Sequence, residues 1–275
     1  MGSLALALGW ALWPGSVCAA AEGGESDRFD TVVIDPGHGG EDRGALGGGG
    51  LAEKDLVLDV SRRLARRLRA SGLTVLLTRN EDVFVPLEMR TSLANDARSD
   101  LFVSVHANSA LDEDPSGVET FFVSLQSSDE EARQVADREN GAFQAPASQV
   151  AALDPLVGLL GDMMVSEHLT DSSDFSKMVQ DELASIPGGG HRGVKQAPFV
   201  VLLGVQMPAS LIEIGFLSNP RDEKALTSNA HREAIAAAMS RAVLRFGKRY
   251  DARRGQGAAL DRRGQEPSVE SLGSR

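Results

Sequence analysis

The chain has 275 residues, enough to bury a sizeable core as one large domain or two small ones. Its 28 Lys and Arg against 39 Asp and Glu leave a formal charge of −11, spread along the chain, which argues against a nucleic-acid partner that needs a basic face. The one cysteine, Cys18, lies in an apolar leader, so a processed chain has no disulfide and must hold any metal with His, Asp or Glu.

Leu4 to Trp13 is apolar but too short to span a bilayer. Small residues follow, ending Cys18-Ala19-Ala20-Ala21, and fit a secretory cleavage site near Ala20 or Ala21. We therefore expect a signal peptide over residues 1–21, export, and no stable membrane span after its removal. The start, Met1-Gly2-Ser3, carries no Lys or Arg, so the leader is either weak or truncated. An N-terminal helix packed on the domain is the alternative. A lipoprotein reading of Cys18 fits poorly with the preceding Gly15-Ser16-Val17.

After a linker over 22–29, the compact region is expected from about Asp30 to Tyr250. Thr31 to Asp35 reads as a buried strand. Glu53 to Ala70 reads as a helix with Leu56, Val60, Leu64 and Leu68 on one face, closed by Gly72. Leu73 to Thr78 is the next strand, and Pro86 to Ala97 a helix with proline in its first turn. Leu101 to Val105 and Gly117 to Ser124 are further strands. The alternation predicts a single α/β domain with a mostly parallel central sheet flanked by helices.

Between Ser127 and Asp171 the pattern changes to two helical stretches, Asp129 to Ala142 and Val150 to His168, without a convincing strand. This reads as a helical insertion near the site, over 127–171. Ser172 to Ser185 is an amphipathic helix, and Gly188-Gly189-Gly190 a turn. Phe199 to Leu203 and Ala209 to Ile214 read as the last strands, and Pro220 to Arg245 as the last helix. From 251 to 275 the chain is rich in Arg, Gly, Gln and Ser, and we expect it to be disordered.

The chemistry gathers at a few positions. In Asp35-Pro36-Gly37-His38-Gly39-Gly40 the glycines let the backbone turn sharply and present His38 at a strand end. Glu53 opens a helix after the run Gly47 to Gly50, and His106 ends another strand. These three side chains can form an open His/Glu/His site suited to zinc, with a water in the fourth position. Each alone has a plainer explanation: a hydrogen-bonded surface histidine, or a helix N-terminal charge favoured by the macrodipole. Glu213 interrupts the apolar run Leu211-Ile212-Glu213-Ile214. An unpaired buried carboxylate costs several kcal/mol, so it has either an arginine partner or a function as general base.

Asp35-Pro36-Gly37-His38-Gly39-Gly40, Glu53-Lys54, Ser104-Val105-His106-Ala107-Asn108 and Glu213-Ile214-Gly215-Phe216-Leu217-Ser218-Asn219 together resemble the zinc-dependent N-acetylmuramoyl-L-alanine amidases of bacterial cell-wall turnover. The resemblance covers about Thr31 to Gly247 in order and includes Arg192-Gly193-Val194-Lys195. It implies one zinc ion per chain held by His38, Glu53 and His106, Glu213 as catalytic carboxylate, and hydrolysis of the amide between muramic acid and L-alanine of peptidoglycan. The insertion resembles the regulatory arm of the cell-division members. That implies autoinhibition by a helix whose glutamate meets the zinc, an activator protein that displaces it, and a periplasmic role in daughter-cell separation. Glu139 best matches that position, with Glu167 second; two packed helices with solvated acidic faces are the plainer reading. His168 and His191 are expected to be surface or structural. The division members carry an N-terminal wall-targeting domain, whereas here a short linker precedes Thr31. Two other readings stand beside this one: another zinc hydrolase such as a carboxypeptidase, and a non-catalytic peptidoglycan-binding module. Retention of all four residues counts against the latter.

Overall fold

Buried β-branched runs form the centre of the molecule. A computed structural model describes residues 28–141 and 168–264. The expected leader and the second helical pattern of the insertion, His168 excepted, lie outside the described residues. Six strands form one sheet in the order β2-β1-β3-β6-β4-β5. They are β1 (Thr31–Pro36), β2 (Thr74–Leu77), β3 (Leu101–Asn108), β4 (Val118–Val123), β5 (His191–Ala197) and β6 (Ala209–Phe216). All pairs are parallel except β4 with β6. The two central strands β3 and β6 are buried along their whole length, as parallel strands covered on both faces must be.

The helices, in chain order, are α1 (Glu53–Ala70), α2 (Leu87–Asp96), α3 (Glu130–Asn140), α4 (168–184), α5 (Val200–Leu203), α6 (Pro220–Leu226) and α7 (Asn229–Gly264). One face of the sheet packs against Leu56, Val60, Leu64 and Leu68 of α1, Phe175 and Val179 of α4, and Met239 and Phe246 of α7. The other face carries Phe102, Phe121 and Leu211 against Ala94 of α2, Val135 of α3 and Leu202 of α5. The result is a three-layer α/β domain, with the carboxyl ends of β1, β3 and β6 opening on one edge.

Four local features differ from the sequence reading. Phe199 to Leu203 is not a strand; Val200–Leu203 forms the short helix α5, because so brief an apolar run fits either state and here caps a sheet face. His191–Ala197 forms an edge strand although its sequence lacks apolar alternation, since β5 pairs with β4 on one side only. The last helix is two. Asn219 caps α6 by accepting from the backbone N–H groups of Arg221 and Asp222, and α6 ends at Leu226 before α7 begins. Helix α7 then runs past Tyr250 to Gly264, where composition predicted irregular chain.

Candidate metal centre

Strand β1 delivers His38 through a turn in left-handed backbone, with φ of 58° at His38 itself. Such a conformation is strained for a histidine, and the surroundings enforce it. Arg90, a fully buried arginine on α2, donates to the carbonyls of Val85, Pro36 and His38 and to Asp35 Oδ1. Arg79 donates to the carbonyls of Pro36, Gly37 and Lys54, joining the turn before His38 to the residue after Glu53. Asp35 is also held by the hydroxyls of Thr78 and Ser104. Burial alone would raise its carboxyl, but Arg90 and these hydroxyls hold it below the usual range.

Two glycines are required by close approach. A Cβ on Gly37 would lie 2.3 Å from the His106 ring, and one on Gly44, at φ of +63°, 2.5 Å from Glu53 Oε2. The metal-facing groups therefore pack directly on backbone.

His38 Nδ1 donates to Asp42 Oδ2 at 2.9 Å, leaving Nε2 free to face the centre. Glu53 Oε2 accepts from the Ala45 N–H and Oε1 from the Ala107 N–H. Glu53 Oε1 lies 3.0 Å from His38 Nε2 and 3.1 Å from His106 Nδ1. Glu139, on α3, completes the cluster: its Oε2 lies 2.8 Å from His106 Nδ1 and 3.2 Å from His38 Nε2. One ligand atom from each of His38, Glu53, His106 and Glu139 lies within 4.8 Å of all the others. His38 Nε2 and Glu139 Oε2 are buried without a hydrogen-bond partner among the described residues. They are close but not aligned on each other, as atoms aimed at a shared centre are. Two imidazoles and two carboxylates suit a divalent transition metal such as zinc, so the residues present fit the group.

The electrostatics agree. Burial would lower both imidazoles, but the Glu53 charge raises His38, and the Glu139 charge leads in raising His106 to about 10. Glu139 is pushed the other way: burial opposes its ionisation, and the two histidines more than offset that.

Glu213 stands across from His106 in the β3–β6 register and across from Glu119 in the β4–β6 register. Neither of its carboxylate oxygens has a hydrogen-bond partner among the described residues, so the alternative of an arginine partner is not met there. Burial and then the Glu139 charge raise its pKa well above the ordinary value. A carboxylate whose protonated form is favoured in this way can take up a proton and give it back.

The site thus brings together His38, Glu53, His106 and Glu213, with Glu139 from the insertion. Glu167 lies outside the described residues. His168 is half-buried and His191 exposed, and neither belongs to the metal-facing cluster. Sequence reasoning missed Asp42, Arg79, Arg90 and Glu119. All but Glu119 are charged residues in polar stretches whose role arises only from chain crossings.

Comparison with known proteins supplies the context. Residues 32–245 match the profile of the family described as N-acetylmuramoyl-L-alanine amidase (Amidase_3). The chain is 35% identical to AmiC of Neisseria meningitidis over 225 residues, 81% of this chain and 54% of that protein. It is 32% identical to AmiA of Escherichia coli, over 80% of this chain and 77% of that protein. It thus spans a little over half the length of the first of these relatives and most of the second. Among solved structures, an amidase of Clostridium difficile 630 superposes with a TM-score of 0.59 at 27% identity, covering 80% of this chain and 97% of the other. AmiC2 of Nostoc punctiforme gives 0.57 at 28%, covering 79% and 97%.

Proposed function

Since the chain belongs to the N-acetylmuramoyl-L-alanine amidase family, we propose that it hydrolyses the amide between the lactyl group of N-acetylmuramic acid and L-alanine of the peptidoglycan stem peptide. The observation that carries this reading is the placement of Glu213, with both oxygens unpartnered, across the ladder from His106 of the His38–Glu53–His106 cluster. These three side chains would hold one zinc ion per chain. Bound there, zinc would polarise the scissile carbonyl and lower the pKa of the attacking water.

Glu213 does the proton work. Its carboxylate takes a proton from the water as the oxygen bonds to the carbonyl carbon. It returns that proton to the amide nitrogen as the C–N bond breaks. The products are a lactyl carboxylate and a peptide with a free L-alanine amine.

The same reading makes the site self-inhibited at rest. Glu139 sits against both histidines of the cluster, where it would compete with a water or a substrate carbonyl for the metal. Helix α3 lies against the sheet through Ala132, Val135 and Ala136, a small apolar contact for an element of 11 residues. A helix of this length is marginal alone, so its docking is a balance that a partner can tip. An activator protein that displaces α3 would open the centre. We place the enzyme in the periplasm, in cell-wall remodelling and daughter-cell separation. No helix among the described residues is long and apolar enough to cross a membrane.

Digestion of purified sacculi, with mass spectrometry of the products, tests the reaction. Stem peptides beginning with free L-alanine are expected, lost with a chelator and restored by zinc. Release of a C-terminal amino acid instead would identify a carboxypeptidase. Binding without any release would identify a non-catalytic module.

A further inference from the structure

Arg192 and Lys195 on β5 hold more positive charge than the fold needs at their position. Between them lies Glu119, a carboxylate 1% exposed. Arg192 Nε reaches its Oε1 at 2.6 Å and Lys195 Nζ at 3.3 Å, and Asn108 Nδ2 donates to its other oxygen at 3.2 Å. One cation and the amide would satisfy this buried group. The remaining donors turn to α3: Arg192 Nη2 lies 2.8 Å and Lys195 Nζ 2.9 Å from Glu131 Oε2, and Lys195 Nζ lies 3.4 Å from Asp129 Oδ2. Glu131 is itself 64% exposed, and so open an ion pair contributes little to stability.

The pair also stands beside the chemistry. Glu119 faces Glu213 across the β4–β6 ladder, and the Arg192 guanidinium lies 5.0 Å over the ring of Phe216 at the end of β6. Glu131 and Glu139 belong to one helix, about 12 Å apart along its axis at 1.5 Å per residue. In the docked state α3 therefore sets one carboxylate on the metal-facing cluster and another on the cation pair. When α3 leaves, two cations share the single carboxylate of Glu119, in a chain whose net charge is −11.

We propose that Arg192 and Lys195 form a carboxylate-binding subsite that takes an acidic group of the substrate's peptide, and that Glu131 occupies it at rest. This rests on the amidase reading and specifies its substrate. At about 3.3 Å per extended residue, a reach of about 12 Å corresponds to a carboxylate on the third or fourth residue beyond the scissile amide. One displacement of α3 thus uncovers both the metal-facing cluster and the group that orients the peptide.

The test uses the full chain carrying Val135→Asp and Glu139→Ala, which drives α3 off, and two synthetic muramoyl-peptides. One has free carboxylates on its third and fourth residues and the other has them amidated. The free form is expected to show a KM about tenfold lower at similar kcat, a difference abolished by 1 M salt. Lys195→Gln should raise KM for the free form alone, with Lys195→Arg restoring it. A variant that fails to fold leaves the comparison of the two probes on the parent chain to decide. Hydrolysis of both probes with equal KM overturns the subsite and leaves the amidase reading standing. Selective calorimetric binding of the free form without hydrolysis supports the subsite and removes the amidase reading. Neither hydrolysis nor selective binding overturns both.

Discussion

His106 and Glu213 occupy facing positions on the two fully buried central strands, β3 and β6, so one ladder sets an imidazole of the candidate metal cluster and an unpartnered carboxylate side by side. The register fixes this more firmly than any loop would, because a slip of one residue in either strand would send its side chain to the opposite face, away from its partner.

The first prediction follows from that pairing. Glu213→Gln keeps the shape and removes the base. It should retain stoichiometric metal by elemental analysis while kcat falls by about 10² to 10⁴. Since the replaced carboxylate is buried without a hydrogen-bond partner, the melting temperature should hold or rise. Retained turnover would remove Glu213 from the mechanism.

Glu139 makes its contacts with His38 and His106 from α3, and these contacts should hold the helix closed. Breaking a buried ion pair by removing one partner costs about 3–5 kcal/mol, so Glu139→Ala should shift the closed–open balance by at least about tenfold. Basal activity on sacculi should rise to match. Glu130→Gln, an exposed change on the same helix, is the control and should leave the rate alone. An unchanged rate for Glu139→Ala in folded, metal-loaded protein would sink the autoinhibition idea.

How far these residues could be read from sequence follows from where their signals lie. His38 and His106 stood at the ends of apolar runs, and Glu213 stood out because a carboxylate inside an apolar run demands an explanation. Helix α1 was legible to the residue, since Leu56, Val60, Leu64 and Leu68 repeat at helical spacing and a glycine follows. Glu139 was legible only through family resemblance: nothing in Asp137-Arg138-Glu139-Asn140 separates it from a solvated helix face. Arg79 and Arg90 gave no local signal, because their acceptors are backbone carbonyls of a turn some fifty residues earlier, brought close by the β1–β2 pairing. Strand β5 was missed for a related reason: an edge strand with one partner tolerates polar residues that a central strand would not.

Those two arginines carry the third prediction. Arg90→Lys keeps a charge but loses the fork that spans Asp35, Pro36 and His38. The left-handed turn at His38 should relax, and zinc affinity in a chelator competition should fall by about 10- to 100-fold, the usual effect of losing a group that orients a ligand. Arg79→Lys should act alike through Gly37 and Lys54. A lower melting temperature with unchanged zinc affinity would make both arginines supports of the fold alone.

Asp35 supplies the last prediction, in the metal-free chain. Burial opposes its charge, but Arg90, Thr78 and Ser104 depress its pKa below the ordinary 3.8. The folded state therefore binds this proton more weakly than the unfolded state. The stability this contributes is fully present above about pH 4 and is lost as pH falls through the depressed folded value. Asp35→Asn removes the titration and leaves Arg90 as an uncompensated buried charge, at a cost of about 3–5 kcal/mol near pH 7. Thermal melts of the two proteins should thus differ most at neutral pH and converge as pH falls through the depressed folded value, where the native Asp35 also takes up its proton. A gap that stays constant from neutral to acid pH would mean that Asp35 contributes by shape and hydrogen bonding rather than by its charge.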